Sequence, residues 1–133
     1  MYQHWDANAL VVLVTALSVS LAVLVHYEGL NLLSRWLSAR HESHRRRKVL
    51  YGIFGVLVLH VAEIWVFGAA IWGLLMFPNT GVVAGAHPLS LLDAVYMSAV
   101  TYTTVGFGDL APIGPIRFIA GTVALTGFVL ITW

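Results

Sequence analysis

The stretch "TYTTVGFGDLAP", residues 101–112, sets three threonines, two glycines flanking a phenylalanine, and an aspartate between two apolar runs. Backbone polar groups that find no partner in hydrocarbon cost several kcal/mol each, so a bilayer selects helices and closed barrels. Non-helical backbone at membrane depth is tolerated only where protein buries it or a water-filled path runs beside it. The neighbourhood of residues 101–112 therefore decides what this segment is.

That neighbourhood is apolar. The chain of 133 residues is 59% hydrophobic and only 10% charged, and its mean hydropathy is +0.86. A soluble domain is nearer half apolar, so the composition indicates an integral membrane protein of one compact unit. There is no cysteine, which excludes a disulfide framework and thiolate metal sites. The opening "MYQHWDAN" lacks a basic n-region, and no small-residue cleavage site follows the first apolar run. That run is expected to be a retained helix rather than a secretory signal.

Crossing roughly 30 Å of hydrocarbon takes about 20 apolar residues. Residues 9–27 meet this without a charge, and residues 49–77 exceed it. The expected organisation is an N-terminal membrane helix within 1–34, a basic cytoplasmic loop at 35–48, and a second membrane unit at 49–133, which the resemblance set out below makes a pore domain. Within that domain, 49–77 is an outer helix and 78–88, rich in turn residues, a loop. Residues 89–103 are too short to span and read as a re-entrant helix; 114–133 form the inner helix. The fold class is all-α: three transmembrane helices plus a re-entrant helix and an extended filter.

Six of the seven Lys and Arg side chains, Arg35, Arg40, Arg45, Arg46, Arg47 and Lys48, fall in one stretch. The positive-inside rule places it in the cytoplasm, with the N-terminus and Asp109 outside and Trp133 inside. Tyr2 and Trp5 at the outer edge, and Trp36 and Tyr51 at the inner, suit interfacial belts. Arg45, Arg46, Arg47 and Lys48 also suit anionic lipid headgroups. The cations are clustered, not threaded through an apolar helix, so this is no voltage sensor. His41 and His44 in the same stretch read as a solvated face before a metal site.

A cation filter would supply the path that residues 101–112 need. Backbone carbonyls replace an ion's hydration shell if they all face one axis. Gly106 and Gly108 allow the positive φ that turns successive carbonyls the same way. Ser90 and Asp93 form a capping pair at the start of the preceding helix, whose other end then aims its partial negative charge at the filter.

The segment "TTVGFGD", residues 103–109, resembles the signature of potassium channels, and "SLLDAVYMSAVTY" resembles the pore helix before it. The resemblance covers about residues 49–133; the extra N-terminal helix is similar to that of some small bacterial channels. It implies ion-binding carbonyls on Thr104, Val105, Gly106 and Phe107, with the Thr104 hydroxyl added and Gly108 turning the chain outward. Asp109, Tyr96 and Thr103 would support the filter, Asp109 through the Tyr96 hydroxyl. A homotetramer in the plasma membrane is implied, since one chain offers one strand. No catalytic residue is expected, and no cofactor beyond K+ in the pore. The pattern departs from the family at Phe107 for tyrosine, at Tyr96 and Met97 for tryptophans, and at Val100 for a glutamate.

Gly127 in the last run is either a hinge, as such a glycine is in the family, or a packing site. Leu125, Val129 and Thr132 fall at helical spacing and would line the cavity or pack. The run ends so soon that closing is expected at the filter. His60 and Glu63, near the middle of the second span, make either a structural hydrogen bond or a proton-coupled site. The readings in competition are a potassium-selective pore, a weakly selective cation channel, a proton-coupled transporter using His60 and Glu63, and a non-conducting partner subunit.

Overall fold

A computed structural model describes residues 4–40 and 45–133. Four helices carry the fold: α1 (Trp5–Ala39), α2 (Arg45–Leu74), α3 (Leu91–Tyr102) and α4 (Arg117–Thr132). Two short strands, β1 (Val82–Ala84) and β2 (Ala111–Ile113), pair antiparallel. Two of the helices, α1 and α2, are long and apolar enough to cross a membrane. At 1.5 Å per residue, α1 is about 52 Å long, well beyond the hydrocarbon thickness. The 16 residues of α4 are apolar and reach about 24 Å.

The basic stretch 35–48 is not the loop expected of it. Arg35 still lies in α1, and α2 begins at Arg45. Arginine and lysine are good helix formers, so the helices run on into charged sequence that hydropathy alone reads as loop. Tyr2, His41 and His44 lie outside the described residues. The two helix ends meet through aromatic rings: Trp36 and Tyr51 are T-shaped with centroids 5.6 Å apart. The Arg40 guanidinium sits 4.1 Å from the Trp36 centroid, a cation–π contact.

Helices α1 and α2 run antiparallel, as contacts Gly29 to Leu59 and Gly55 to Leu33 require. The buried stripe of α1 is Ala7, Val11, Thr15, Ser18, Ala22 and His26, recurring every three or four residues on one face. Small residues there let the neighbouring helices approach. Thr15 and Ser18 satisfy their own hydroxyls by donating to carbonyls four residues back.

The core centres on α3, held between α2 and α4. Phe67, Ile71, Ala94, Met97, Tyr102, Ile119 and Val123 are buried in it. Glycine makes the close approaches possible on both sides. A Cβ on Gly68 would lie 2.7 Å from the Val95 Cα, and one on Gly127 would lie 2.0 Å from the Tyr102 carbonyl oxygen. Both sit well inside the roughly 3.5–4.0 Å of an ordinary carbon contact.

Candidate functional site

The site is built outward from α3. Its start is a complete capping box: the Ser90 hydroxyl accepts from the Asp93 N–H at 3.1 Å, and the Ser90 N–H donates to Asp93 Oδ2 at 2.9 Å. The Ser90 hydroxyl also donates to Asp93 Oδ2, at 2.7 Å. These bonds hold the Asp93 carboxyl below its ordinary range. The far end of α3 closes at Thr103, whose N–H reaches the Ala99 and Thr101 carbonyls.

The backbone then changes hand. Thr104, Gly106 and Gly108 have φ of +62°, +52° and +83°, and the residues between them do not share the positive sign. Such alternation gathers successive N–H groups on one side of the chain, and so gathers the carbonyls on the other. Two backbone bonds pin the start of the segment: Thr104 N–H to Thr101 O at 3.0 Å, and Gly106 N–H to Val100 O at 2.9 Å. The left-handed Thr104 is a finding beyond the sequence reading. A β-branched residue there is an outlier, costing about 1–3 kcal/mol and characteristic of functional segments. No residue-type rule would have flagged it. At Gly106 and Gly108 a Cβ would meet nothing within 4 Å of its own chain. Within the single chain the penalty for a side chain there comes from φ and not from a clash.

Val105 and Phe107 are 56% and 72% exposed on the single chain. Asp109 is also exposed, and its carboxylate lies near the Tyr96 hydroxyl and pushes that hydroxyl above its ordinary range. The Thr103 hydroxyl donates to Ala99 O at 2.8 Å, back along its own helix. Outside Asp109 the chain enters β2, whose partner β1 precedes α3, with Ala84 opposite Ala111.

On α4, Gly127 is buried against the end of α3, a packing position, and the helix runs unbroken through it. Leu125, Val129 and Thr132 lie on the face that this chain leaves exposed. The Thr132 hydroxyl is taken up by its own helix, donating to Phe128 O at 2.7 Å.

Glu63 and His60 belong to a larger cluster than the sequence indicated. Glu63 is fully buried. Its Oε1 lies 2.8 Å from His26 Nδ1 on α1, and its Oε2 lies 3.0 Å from His60 Nδ1. The Tyr102 hydroxyl donates to the same Oε2 and lies 3.1 Å from His60 Nδ1. Tyr102 is the last residue of α3, so α1, α2 and the end of α3 meet on one carboxylate. His26 and Tyr102 were missed as members. The one usable signal was that His26 continues the small and polar stripe of Thr15, Ser18 and Ala22.

A family model described as "Ion channel" matches residues 48–133. The chain belongs to this ion-channel family. The match starts at Lys48, which leaves α1 outside it. Among curated relatives, the channel is 31% identical over 101 residues to Protein LctB of Geobacillus stearothermophilus, covering 73% of this chain and 75% of that one. It is 49% identical over 54 residues to Protein LctB of Bacillus caldotenax, covering 40% and 38%. It is 32% identical over 100 residues to a voltage-gated potassium channel of Aeropyrum pernix, covering 74% of this chain and 31% of that one. The channel thus spans three quarters of the first relative and under two fifths of the other two. No solved structure matches it.

Proposed function

We propose that the chain forms a potassium-selective channel, assembling as a homotetramer around a central axis. The observation that carries the reading is the alternation of positive φ at Thr104, Gly106 and Gly108, directly after a capped helix that ends at Tyr102. Carbonyls of Thr104, Val105, Gly106 and Phe107 then line the ion path, with the Thr104 hydroxyl below them. Four chains are needed because each contributes one carbonyl-bearing strand. The exposure of Val105 and Phe107 on the single chain supports a position at an interface between chains. Membership of the ion-channel family, and a relative that is a voltage-gated potassium channel, point the same way. In the plasma membrane, α1, α2 and α4 cross, the N-terminus and Asp109 face outward, and α4 ends on the cytoplasmic side. Arg45, Arg46, Arg47 and Lys48 sit at the inner surface against anionic headgroups. Asp109, Tyr96 and Thr103 support the filter.

The test is single-channel recording of the purified chain in a planar bilayer, with potassium on one side and sodium on the other. A reversal potential near the potassium limit is expected. Currents that reverse near zero would replace this reading with a weakly selective cation channel. The cluster at Glu63 favours one further reading, proton-coupled transport through His60 and Glu63. Glu63→Gln separates the two, since it abolishes a proton-coupled flux and leaves a channel conducting.

A further inference from the structure

Between α1 and α2 a buried histidine and a buried glutamate meet a second, partly exposed histidine, apart from the residues assigned to the ion path. An ionisable side chain in the membrane interior is expensive to keep and marks a functional position by default. Here three such side chains converge from two helices. His26 is 5% exposed and Glu63 is fully buried. One ligand atom from each of His26, His60 and Glu63 falls within 4.8 Å of the others.

We infer that His26, His60 and Glu63 form a binding site for a divalent transition-metal ion of the zinc type. The chemistry of the donors fits. Two imidazoles and one carboxylate are a set that zinc takes up with a fourth position left open, at metal–ligand distances of about 2.0–2.2 Å. Bonds of that length put neighbouring donors about 3.4 Å apart in a tetrahedron and about 3 Å apart in an octahedron. The observed edges are 2.8 Å from His26 Nδ1 to Glu63 Oε1 and 3.0 Å from His60 Nδ1 to Glu63 Oε2. These edges run to the two different oxygens of one carboxylate, and the three donors lie within 4.8 Å of one another, so admitting an ion draws them together by χ rotations on three side chains. Where a ring carries its proton on Nδ1, that proton moves to Nε2 of the same ring, and each imidazole stays neutral. The Tyr102 hydroxyl, already donating to Glu63 Oε2, orients the carboxylate as an outer partner of a metal site does. The His60 side chain keeps 18% exposure and lines a groove with Val49, Ile53 and Leu57. An ion bound there would fasten α1 to α2 one hydrogen bond away from the residue that precedes the filter segment.

The experiment uses the purified chain with His4, His41, His44 and His87 replaced by glutamine, which removes the other histidines. Chelator-buffered Zn2+ is titrated in, and Co2+ is used as a spectroscopic substitute. One zinc per chain is expected, with a cobalt d–d absorption of a nitrogen and oxygen ligand set. His26→Gln, His60→Gln and Glu63→Gln should each weaken zinc binding at least about tenfold. The cobalt spectrum is read on the chain with its cluster intact, so it holds even where a cluster variant fails to fold. No zinc bound in the background lacking the other histidines would overturn the inference. So would an affinity unchanged by all three substitutions. Because binding is measured without current, the result is independent of the conduction reading.

Discussion

Replacing Gly127 by alanine should destabilise the channel, whereas the same change six residues earlier should not. A Cβ on Gly127 would stand 2.0 Å from the Tyr102 carbonyl oxygen, 2.7 Å from its carbon and 2.8 Å from its Cγ. Relief requires α4 and the end of α3 to part by more than an ångström. Helix α3 cannot yield on its other side, where Gly68 already holds α2 against the Val95 backbone. Forcing a methyl into such a contact costs about 1–3 kcal/mol, and the absence of slack puts it near the upper end. The helix-propensity gain of alanine over glycine returns about 0.8–1.0 kcal/mol. The net expectation is a loss of about 2 kcal/mol. At Gly121 a Cβ meets nothing within 4 Å, so Gly121→Ala keeps only the propensity gain. Thermal unfolding of both variants in detergent gives the comparison. A Gly127→Ala midpoint equal to that of Gly121→Ala, with altered gating, would refute the packing assignment and return Gly127 to a hinge.

Three further outcomes are expected. Gly106→Ala should abolish potassium current while the tetramer still assembles, because φ of +52° is costly for any side chain; bilayer recording and size-exclusion chromatography check the two halves. Tyr96→Phe removes the hydroxyl that lies near Asp109 and should hasten decay of current during sustained opening, read from macroscopic recordings; decay at the parent rate would discard the bracing role. Asp93 titrates below its ordinary value because of Ser90. Its stabilising contribution is therefore present above the unfolded carboxylate pKa and is lost as pH falls through the lowered one. Ser90→Ala should move the Asp93 titration, followed by carboxyl-carbon NMR, up toward the ordinary value.

The left-handed glycines and the capped start of α3 were legible in the sequence because their chemistry is local. Glycine at 106 and 108 and the Ser90–Asp93 spacing each carry their own meaning within a few residues. The boundary at 35–48 was misread for the opposite reason. Hydropathy reports which residues avoid lipid, not where hydrogen bonding along a helix stops, and arginine is content in either place. The cluster at Glu63 could not be read at all as a unit. Beyond His60, its partners are His26, 37 positions away, and Tyr102, 39 positions away, brought in by the packing of α1 and of α3 against α2. Thr104 is the sharpest case. Its side-chain type argues against the left-handed backbone it adopts, and only the surrounding fold can hold it there.

The pairing of β1 with β2 has a mechanical consequence for the mouth. It stitches the chain just before α3 to the chain just after Asp109, so residues 85–110 form a closed loop anchored at both feet. Closing a loop of this length restricts the chain by roughly 3 kcal/mol of entropy, and that restriction is set once, at the ribbon. The segment from Thr104 to Gly108 is then an arch between fixed abutments, α3 on one side and the ribbon on the other. An arch of this kind can flex along its span without either foot coming away from the ground.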